Sequence, residues 1–467
     1  MQMMHRQHGE EAPYWPAGPF KVRLPFIHYR WEMAEMFQAL IMFVVSLAMI
    51  PLLEHYLGLP YEVALAYVVI GNALTLLPAL LGVPLVPGWI TPAVPLVLAF
   101  LGDFEPGPEA IQAMFALNFM VFLIFLLMGL TGLGARLVRL VPKSLQAGII
   151  LGAGLAAFIG EIQEGGRLAS TPISLTAGVL VALFLMFSVA FRRWAQHHSL
   201  ARRIANYGLV PSMVIAILVA WSIGEYPLPT IEWGITRPNF AELWNYLPFV
   251  VGFPSLDVFL LAIPTALIAY IIAFGDIVVG DALIAQADET RSDEKIDCDT
   301  SRVHHVTAIR NAFHAFFCPA PGLAGPIWTA LTATVAERYK FGRHSMDSIF
   351  GGAGTFMITM FLATFILPLV SLFQPVLPIA LSMTLILTGY VCLMIGMEQA
   401  TTPAQRGVAG TTAIVLAIYG AGWGIIVGLT LYYLVEKRSL LGRETVAADD
   451  SVASEAAASK TVPAQDA

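Results

Sequence analysis

Apolar runs about as long as a bilayer core is thick recur along almost the whole chain, and this decides what it can fold into. A hydrocarbon layer about 30 Å thick takes about 20 residues of helix, and from Met33 to Val435 the sequence supplies such runs, or halves of them, separated by short polar connections. Of the 467 residues, 57% are hydrophobic and 12% charged, where a soluble domain has about 45–50% and about 25%. A soluble enzyme of usual composition, a disordered chain and a disulfide scaffold are excluded. The cysteines Cys298, Cys318 and Cys392 are too few and too scattered to staple a fold or to hold zinc. The net charge of -7 lies mostly in connections and chain ends and reads as solubility, and no nucleic-acid footprint is visible.

Fourteen segments are expected, with approximate cores at 33–53, 63–81, 92–101, 111–130, 142–160, 173–191, 204–224, 258–284, 304–317, 326–337, 349–373, 376–396, 405–419 and 422–435. The last two are either two short helices or one long one. Lys and Arg collect in cytoplasmic connections. With the amino terminus inside, 23 of the 25 Lys and Arg residues, Arg310 among them, fall on the inner side, and only Arg167 and Arg237 lie outside. That ledger implies an even number of segments and two cytoplasmic termini. The first 30 residues contain no cleavable leader, so a retained amino terminus is expected, and the tail 437–467, rich in Ala, Ser and Asp from Thr445 on, reads as disordered.

The third and tenth segments are too short to span, and each follows a stretch rich in Pro and Gly: 82–92 and 318–326. Non-helical backbone at membrane depth survives only where protein or a cavity surrounds it. Thr91-Pro92 and Gly325-Pro326 each place a cap residue before a proline at the expected start of a helix. Landmarks recur. Gln38 to Gly88 and Gly275 to Gly325 are both 50 positions, and the whole pattern repeats at an offset of about 237. Seven segments per repeat is an odd number, so the second copy enters from the opposite side. Inverted repeats, each with a broken helix, are the layout of secondary transporters that bind substrate at the midplane.

Asp276 stands in an apolar run without a basic residue. Intramembrane carboxylates mark ion or proton pathways, and burial disfavours their charged form, so Asp276 is the expected proton carrier and a substrate contact. Asp281, nearer the inner end, reads as a solvated helix end. The two half-helix starts offer unpaired N–H groups and positive dipole ends. Candidate substrate contacts there are Trp89, Thr91 and Ala93 on one side and Gly322, Ala324, Gly325, Ile327, Trp328 and Thr329 on the other. For Trp89 and Trp328, stacking on a planar solute and anchoring at an interface are both open. For Gln38 and Asn72, ligand contact and helix–helix hydrogen bonding are both open. His314 reads as a satisfied core histidine, Glu161 and Glu337 as water-facing helix ends, and His197-His198 and His304-His305 form no metal pattern. The glycines of 351–354 lack the strand and lysine of a phosphate loop and read as close helix packing.

These residues resemble the nucleobase-ascorbate transporters, the second type of nucleobase-cation symporter that includes uracil permease, and more distantly the sulfate permeases. The likeness lies in Phe37-Gln38-Ala39-Leu40 with the later Pro51, in Gly88-Trp89-Ile90-Thr91-Pro92-Ala93, in Val141-Pro142-Lys143-Ser144 with Gly148, and in Phe316-Phe317 with Pro321, Gly322 and Gly325-Pro326. Departures are equally plain. Ala39 replaces a histidine, Ile272 stands where a base-binding glutamate is usual with Asp276 one turn later, and a second glutamate position falls near Ile327.

The resemblance implies an all-α polytopic membrane protein with the uracil permease-like fold. A core is formed by 33–140 and 251–373 and a gate by 141–250 and 374–436, behind a cytoplasmic segment 1–32. It implies a permease rather than an enzyme, in the cytoplasmic membrane, homodimeric, without cofactor or metal. Proton-coupled uptake of a nucleobase or related planar compound is the first expectation. An inorganic or organic anion, as in sulfate permeases, is the alternative.

Overall fold

The computed structural model describes residues 4, 6–163, 166–198, 200–201, 204 and 209–437, and helix dominates them. Fourteen main helices follow the chain: α1 (Met33–Leu57), α2 (Tyr61–Leu80), α3 (Thr91–Leu101), α4 (Pro108–Thr131), α5 (Lys143–Ile162), α6 (Pro172–Phe187), α7 (Val210–Ile223), α8 (Leu256–Thr290), α9 (Thr300–Phe317), α10 (Thr329–Lys340), α11 (Ile349–Ala363), α12 (Leu377–Gln399), α13 (403–419) and α14 (421–431). Strands are short. β1 (Trp15–Ala17) and β2 (Phe20–Val22) form a hairpin, and β3 (Gly88–Trp89) pairs with β4 (Ala324–Gly325). By length and composition seven helices are able to cross a membrane, the stretch Pro403–Glu436 counted as one, or eight with the bent pair at α6. Of the expected tail, residues 438–467 lie outside the described residues.

Several expected boundaries shift for local reasons. α6 stops at Phe187, and a second helix, Val189–His197, leaves at 59° because Ser188 turns extended and accepts from the Phe191 N–H. The eleventh segment ends at Ala363, not Phe373. Residues 364–366 run beside the connection that precedes α8, with Thr236 N–H donating to the Phe365 carbonyl and Leu367 N–H to that of Gly234. Glu161, expected to face water, is 0% exposed and paired with Arg167. The cut between the last two segments falls at Gly420, whose backbone (φ 83°, ψ 178°) leaves the helical region for one that glycine alone enters without strain. The chain doubles back there. A side chain at Gly424 would strike Leu416, and one at Gly428 would strike Thr412, as in a hairpin of two helices centred on Gly420.

Packing falls into two sets. α4 lies on α8 and α9, and α11, seven helices later, lies on α1 and α2, while α5 packs on α12 and on the α13–α14 hairpin. Two contacts bring matching positions of the halves face to face. Gly88 pairs with Gly325, 237 positions on. α5 crosses α12 where a Cβ at Gly154 would lie 2.8 Å from the Gly389 carbonyl and one at Gly389 3.1 Å from the Gly154 carbonyl, 235 positions apart. The glycines of 351–354 do serve close packing: a Cβ at Gly351 would sit 2.8 Å from the Arg30 carbonyl.

The segment before α1 is a clasp. Lys21 and Arg23 N–H groups donate to the Leu81 and Leu80 carbonyls at the end of α2, which helix ends leave unpaired. The buried Arg23 guanidinium lies 3.9 Å over the Phe350 ring. Arg6 bridges Asp293 at 2.7 Å and the buried Glu294 at 3.1 Å in the α8–α9 connection. Lys21 and Arg302 share Asp297, and Arg338 of α10 holds Glu32 and Glu35 at the start of α1.

Arg6→Ala leaves Glu294 buried without its counter-charge. It should cost about 3 kcal/mol of local stability, read as hydrogen exchange over residues 6–30 quickening more than tenfold. The Arg291 fork, helped by Arg6, holds the Asp293 carboxyl down to about 2, against an ordinary value of about 3.9. Its contribution is full above about pH 4 and is lost as pH falls through about 2, so exchange of the same residues should rise over that interval.

Candidate functional site

The two Pro/Gly stretches meet. β3 and β4 run antiparallel with Gly88 opposite Gly325 and Trp89 opposite Ala324. The ladder continues on both sides, with Ile90 N–H donating to the Leu323 carbonyl at 2.9 Å and Trp328 N–H to that of Val86 at 2.6 Å. Each interrupted helix thus supplies the hydrogen-bond partners that the other lacks. Close approach fixes glycine at the crossing: a Cβ at Gly325 would lie 2.8 Å from the Trp89 carbonyl carbon, closer than any real Cβ contact.

The half-helices leave this crossing differently from the sequence expectation. α3 opens with a 3-10 turn at Thr91–Ala93, and the Thr91 hydroxyl contacts the Trp89 carbonyl at 3.5 Å rather than capping the helix. α10 begins at Thr329, three residues beyond Pro326, because Trp328 is still extended and pairing with Val86. Thr332 Oγ1 accepts from the Val86 N–H at 3.1 Å and so ties α10 to the first stretch.

Beneath the crossing lies a residue that the charge ledger misplaces. Arg310 is 1% exposed and sits ten residues into α9, not at an inner helix end. Its Nη1 donates to the Gly325 carbonyl at 2.6 Å and its Nη2 to the Gly88 carbonyl at 3.2 Å, so one guanidinium holds both members of the glycine pair. Its Nε has no partner, and among the described residues no carboxylate pairs with it. Asn311 beside it donates to the Ala324 carbonyl at 2.8 Å and accepts from the Ala324 N–H at 3.1 Å. The signal was present in the sequence, since Arg310 falls inside the expected ninth core.

Asp276 lies on α8 and is half-buried, and among the described residues it forms no hydrogen bond or ion pair. Ile272, Asp276 and Gly280 share one helix face by their spacing of four. At Gly280 that face meets the crossing, where a Cβ would lie 2.9 Å from Ile327 Cδ1. α8 touches the turn at Thr91–Ala93, and that turn also touches both α5 and α12. Asp276 therefore stands beside the crossed tips, where the two helix sets adjoin. Asp281 accepts from Cys298 at 3.3 Å and Thr300 at 3.2 Å.

A narrow cavity opens on the other side of the tips, lined by Ser46, Met49, Tyr67, Asn72, Trp89, His314 and Gly322 among others. Trp89 packs there against Gly322, where a Cβ would lie 3.0 Å from the indole ring. Asn72 donates to Ser46 at 3.0 Å, so it joins α1 to α2 and also lines the cavity. His314 is buried, with Nδ1 3.4 Å from the Cys318 carbonyl. Of the expected contacts, Trp89, Thr91, Ala93, Gly322, Ala324, Gly325 and Ile327 gather at the tips. Thr329 follows at the start of α10. Trp328 turns away to Phe356, ring centroids 6.5 Å apart, and Gln38 is half-buried in the part of α1 that packs on α11.

Overpacking the crossing should be felt at once. Gly325→Ala is expected to destabilise the protein by about 1–3 kcal/mol, seen as a lowered unfolding temperature in detergent. Gly407→Ala, where a Cβ meets nothing within 4 Å, should leave that temperature unchanged.

The family model Xan_ur_permease, described as the permease family, matches residues 26–301. No curated protein matches the chain in sequence. Among solved structures, the chain is similar to the transmembrane domain of a cyanobacterium bicarbonate transporter, BicA, at 15% identity and a TM-score of 0.49, over 85% of this chain and 96% of that one. It is similar to SLC26A9 at 14% identity and a TM-score of 0.49, over 86% of this chain and 65% of that one. The murine Slc26a9 anion transporter in the inward-facing state aligns at 13% identity and a TM-score of 0.48, over 87% of this chain and 68% of that one. With more than half its length matched by the family model, this chain belongs to the permease family.

Proposed function

We propose that this permease is a secondary active carrier that takes up a small planar solute of the nucleobase class together with a proton. Its fourteen helices are read as membrane segments in two inverted sevens. The reciprocal glycine contacts at offsets of 237 and 235 support that reading. α1–α4 and α8–α11, with the amino-terminal clasp, form a core, and α5–α7 and α12–α14 form a gate. The substrate sits at the crossed tips of α3 and α10, and core moves against gate to expose it to either side.

One observation carries the coupling. Asp276 is a carboxyl without a partner, in an apolar helix, facing the neighbouring helix set one turn from the crossing. A group so placed gains and loses a proton as access changes, and no other role in the packing accounts for it. Substrate contact falls to backbone groups at the tips and to Trp89, because Ile272 and Ile327 occupy positions that in related permeases hold glutamates.

Reconstituted protein should accumulate labelled xanthine or uracil when the outside is made acid, and Asp276→Asn should reduce that accumulation by at least tenfold while exchange without a gradient persists. Accumulation by Asp276→Asn equal to the parent would remove the proton from Asp276.

A further inference from the structure

The bend after α6 leads into a helix of different character. α6 stops at Phe187, and the helix Val189–His197 leaves it at 59° with Ser188 as its cap. The 16 residues of α6 reach about 24 Å, short of a hydrocarbon layer of about 30 Å. The 9 residues that follow add about 14 Å, and at that angle more of it runs sideways than onward. The second helix therefore lies obliquely where acyl chains give way to headgroups.

Its sequence separates two faces. Ala190, Phe191, Trp194 and Ala195 fall together at helical spacing, and Arg192, Arg193, Gln196 and His197 fall together opposite them. Phe191 is buried, its ring centroid 5.6 Å from that of Phe184 on α6 and 5.8 Å from that of Trp194, so the apolar face is fastened to the span along one edge. Trp194 stays 45% exposed. Arg192 and Arg193 are exposed as well. Arg192 Nη2 donates to the Phe187 carbonyl at 3.5 Å, and among the described residues no carboxylate pairs with either arginine. None is near in the sequence, since 168–224 holds four arginines and no Asp or Glu. In a chain of net charge -7, that is a local excess of positive charge.

Charge and apolar area on opposite sides of one helix at that depth fit a surface that is acidic on top and oily beneath. We propose that Val189–His197 is an interfacial helix that binds anionic phospholipid headgroups of the adjoining leaflet, which the charge ledger makes the cytoplasmic one. Arg192 and Arg193 take the phosphate oxygens, and Trp194 sits at the acyl boundary. Free phosphate offers the arginines the same chemistry, and the apolar face selects the lipid. α6 packs on α7 and α12, so lipid held here fastens those helices to the bilayer. Lipid binding of this kind is independent of which solute the permease carries.

The test follows hydrogen exchange of residues 189–197 in the full chain, reconstituted in nanodiscs of phosphatidylcholine alone or with about one third phosphatidylglycerol. Phosphatidylglycerol should slow exchange at least tenfold, and high salt should shrink the effect. Arg192→Gln with Arg193→Gln should abolish the difference at an unchanged unfolding temperature, Arg192→Lys with Arg193→Lys should keep it, and Trp194→Ala should quicken exchange in both lipids. Equal exchange in the two nanodiscs, or a difference that survives the double glutamine change, would overturn the proposal. So would slowing by inorganic phosphate in phosphatidylcholine nanodiscs, which marks a free-anion site. Exchange in phosphatidylcholine that quickens when the acidic stretch 444–467 is removed would overturn it too, because the occupant is then this chain's own tail.

Discussion

Everything in this molecule follows from how two breaks in the helical backbone are satisfied away from water. Lipid offers no hydrogen bonds, so an interrupted helix at membrane depth needs partners from protein. Here the partners are mutual. The backbone at 86–90 pairs with that at 323–328, and the leftover carbonyls at the crossing are taken by Arg310, with Asn311 closing the Ala324 peptide on both its donor and acceptor sides. Remove the pairing and neither half-helix has a fixed starting point, nor does Asp276 have a surface to face. On the proposed function, solute recognition and structural integrity draw on the same few peptide groups.

Much of this was legible in the chain. Proline and glycine punctuate a helix whatever surrounds it, so the breaks at 82–92 and 318–326 announce themselves, and a common offset ties them together before any coordinates. Their meeting follows from the same logic, since each must find a partner. What the chain concealed depends on which neighbours each residue meets once the chain is folded. Arg310 reads as an inner-side charge because charge counting ranks arginines by their distance from segment ends, while its acceptors lie 15 and 222 positions away. Glu161 reads as a wet helix end because its burial comes from Arg167, a residue in the following turn. Trp328 reads like Trp89 as a stacking or anchoring residue, yet, still extended before α10 begins at Thr329, it packs toward Phe356 of α11. In each case local preference was correct and a tertiary contact overrode it.

The two helix sets differ in how they are held. The set around the crossing is sewn together by ion pairs on the clasp side, from Arg6, Lys21 and Arg23 at one end of the chain to Arg338 beyond its middle. The ion pair that fastens α5 is Glu161–Arg167, with Arg167 also reaching Ser382 of α12 at 2.9 Å, and its helices otherwise rely on small residues at close crossings such as Gly154 and Gly389. Both members of that crossing belong to the same set, so ion pairs hold one set together and close small-residue packing holds the other.

The hairpin at Gly420 has a topographic consequence. Seventeen residues of helix in 403–419 reach about 25 Å, less than the full depth of the hydrocarbon layer, and the return begins at a residue with no side chain. With both termini inside, as the charge ledger expects, that apex would stop short of the outer leaflet's aqueous face. Impermeant reagents and external proteases would then find no loop to grip between α13 and α14.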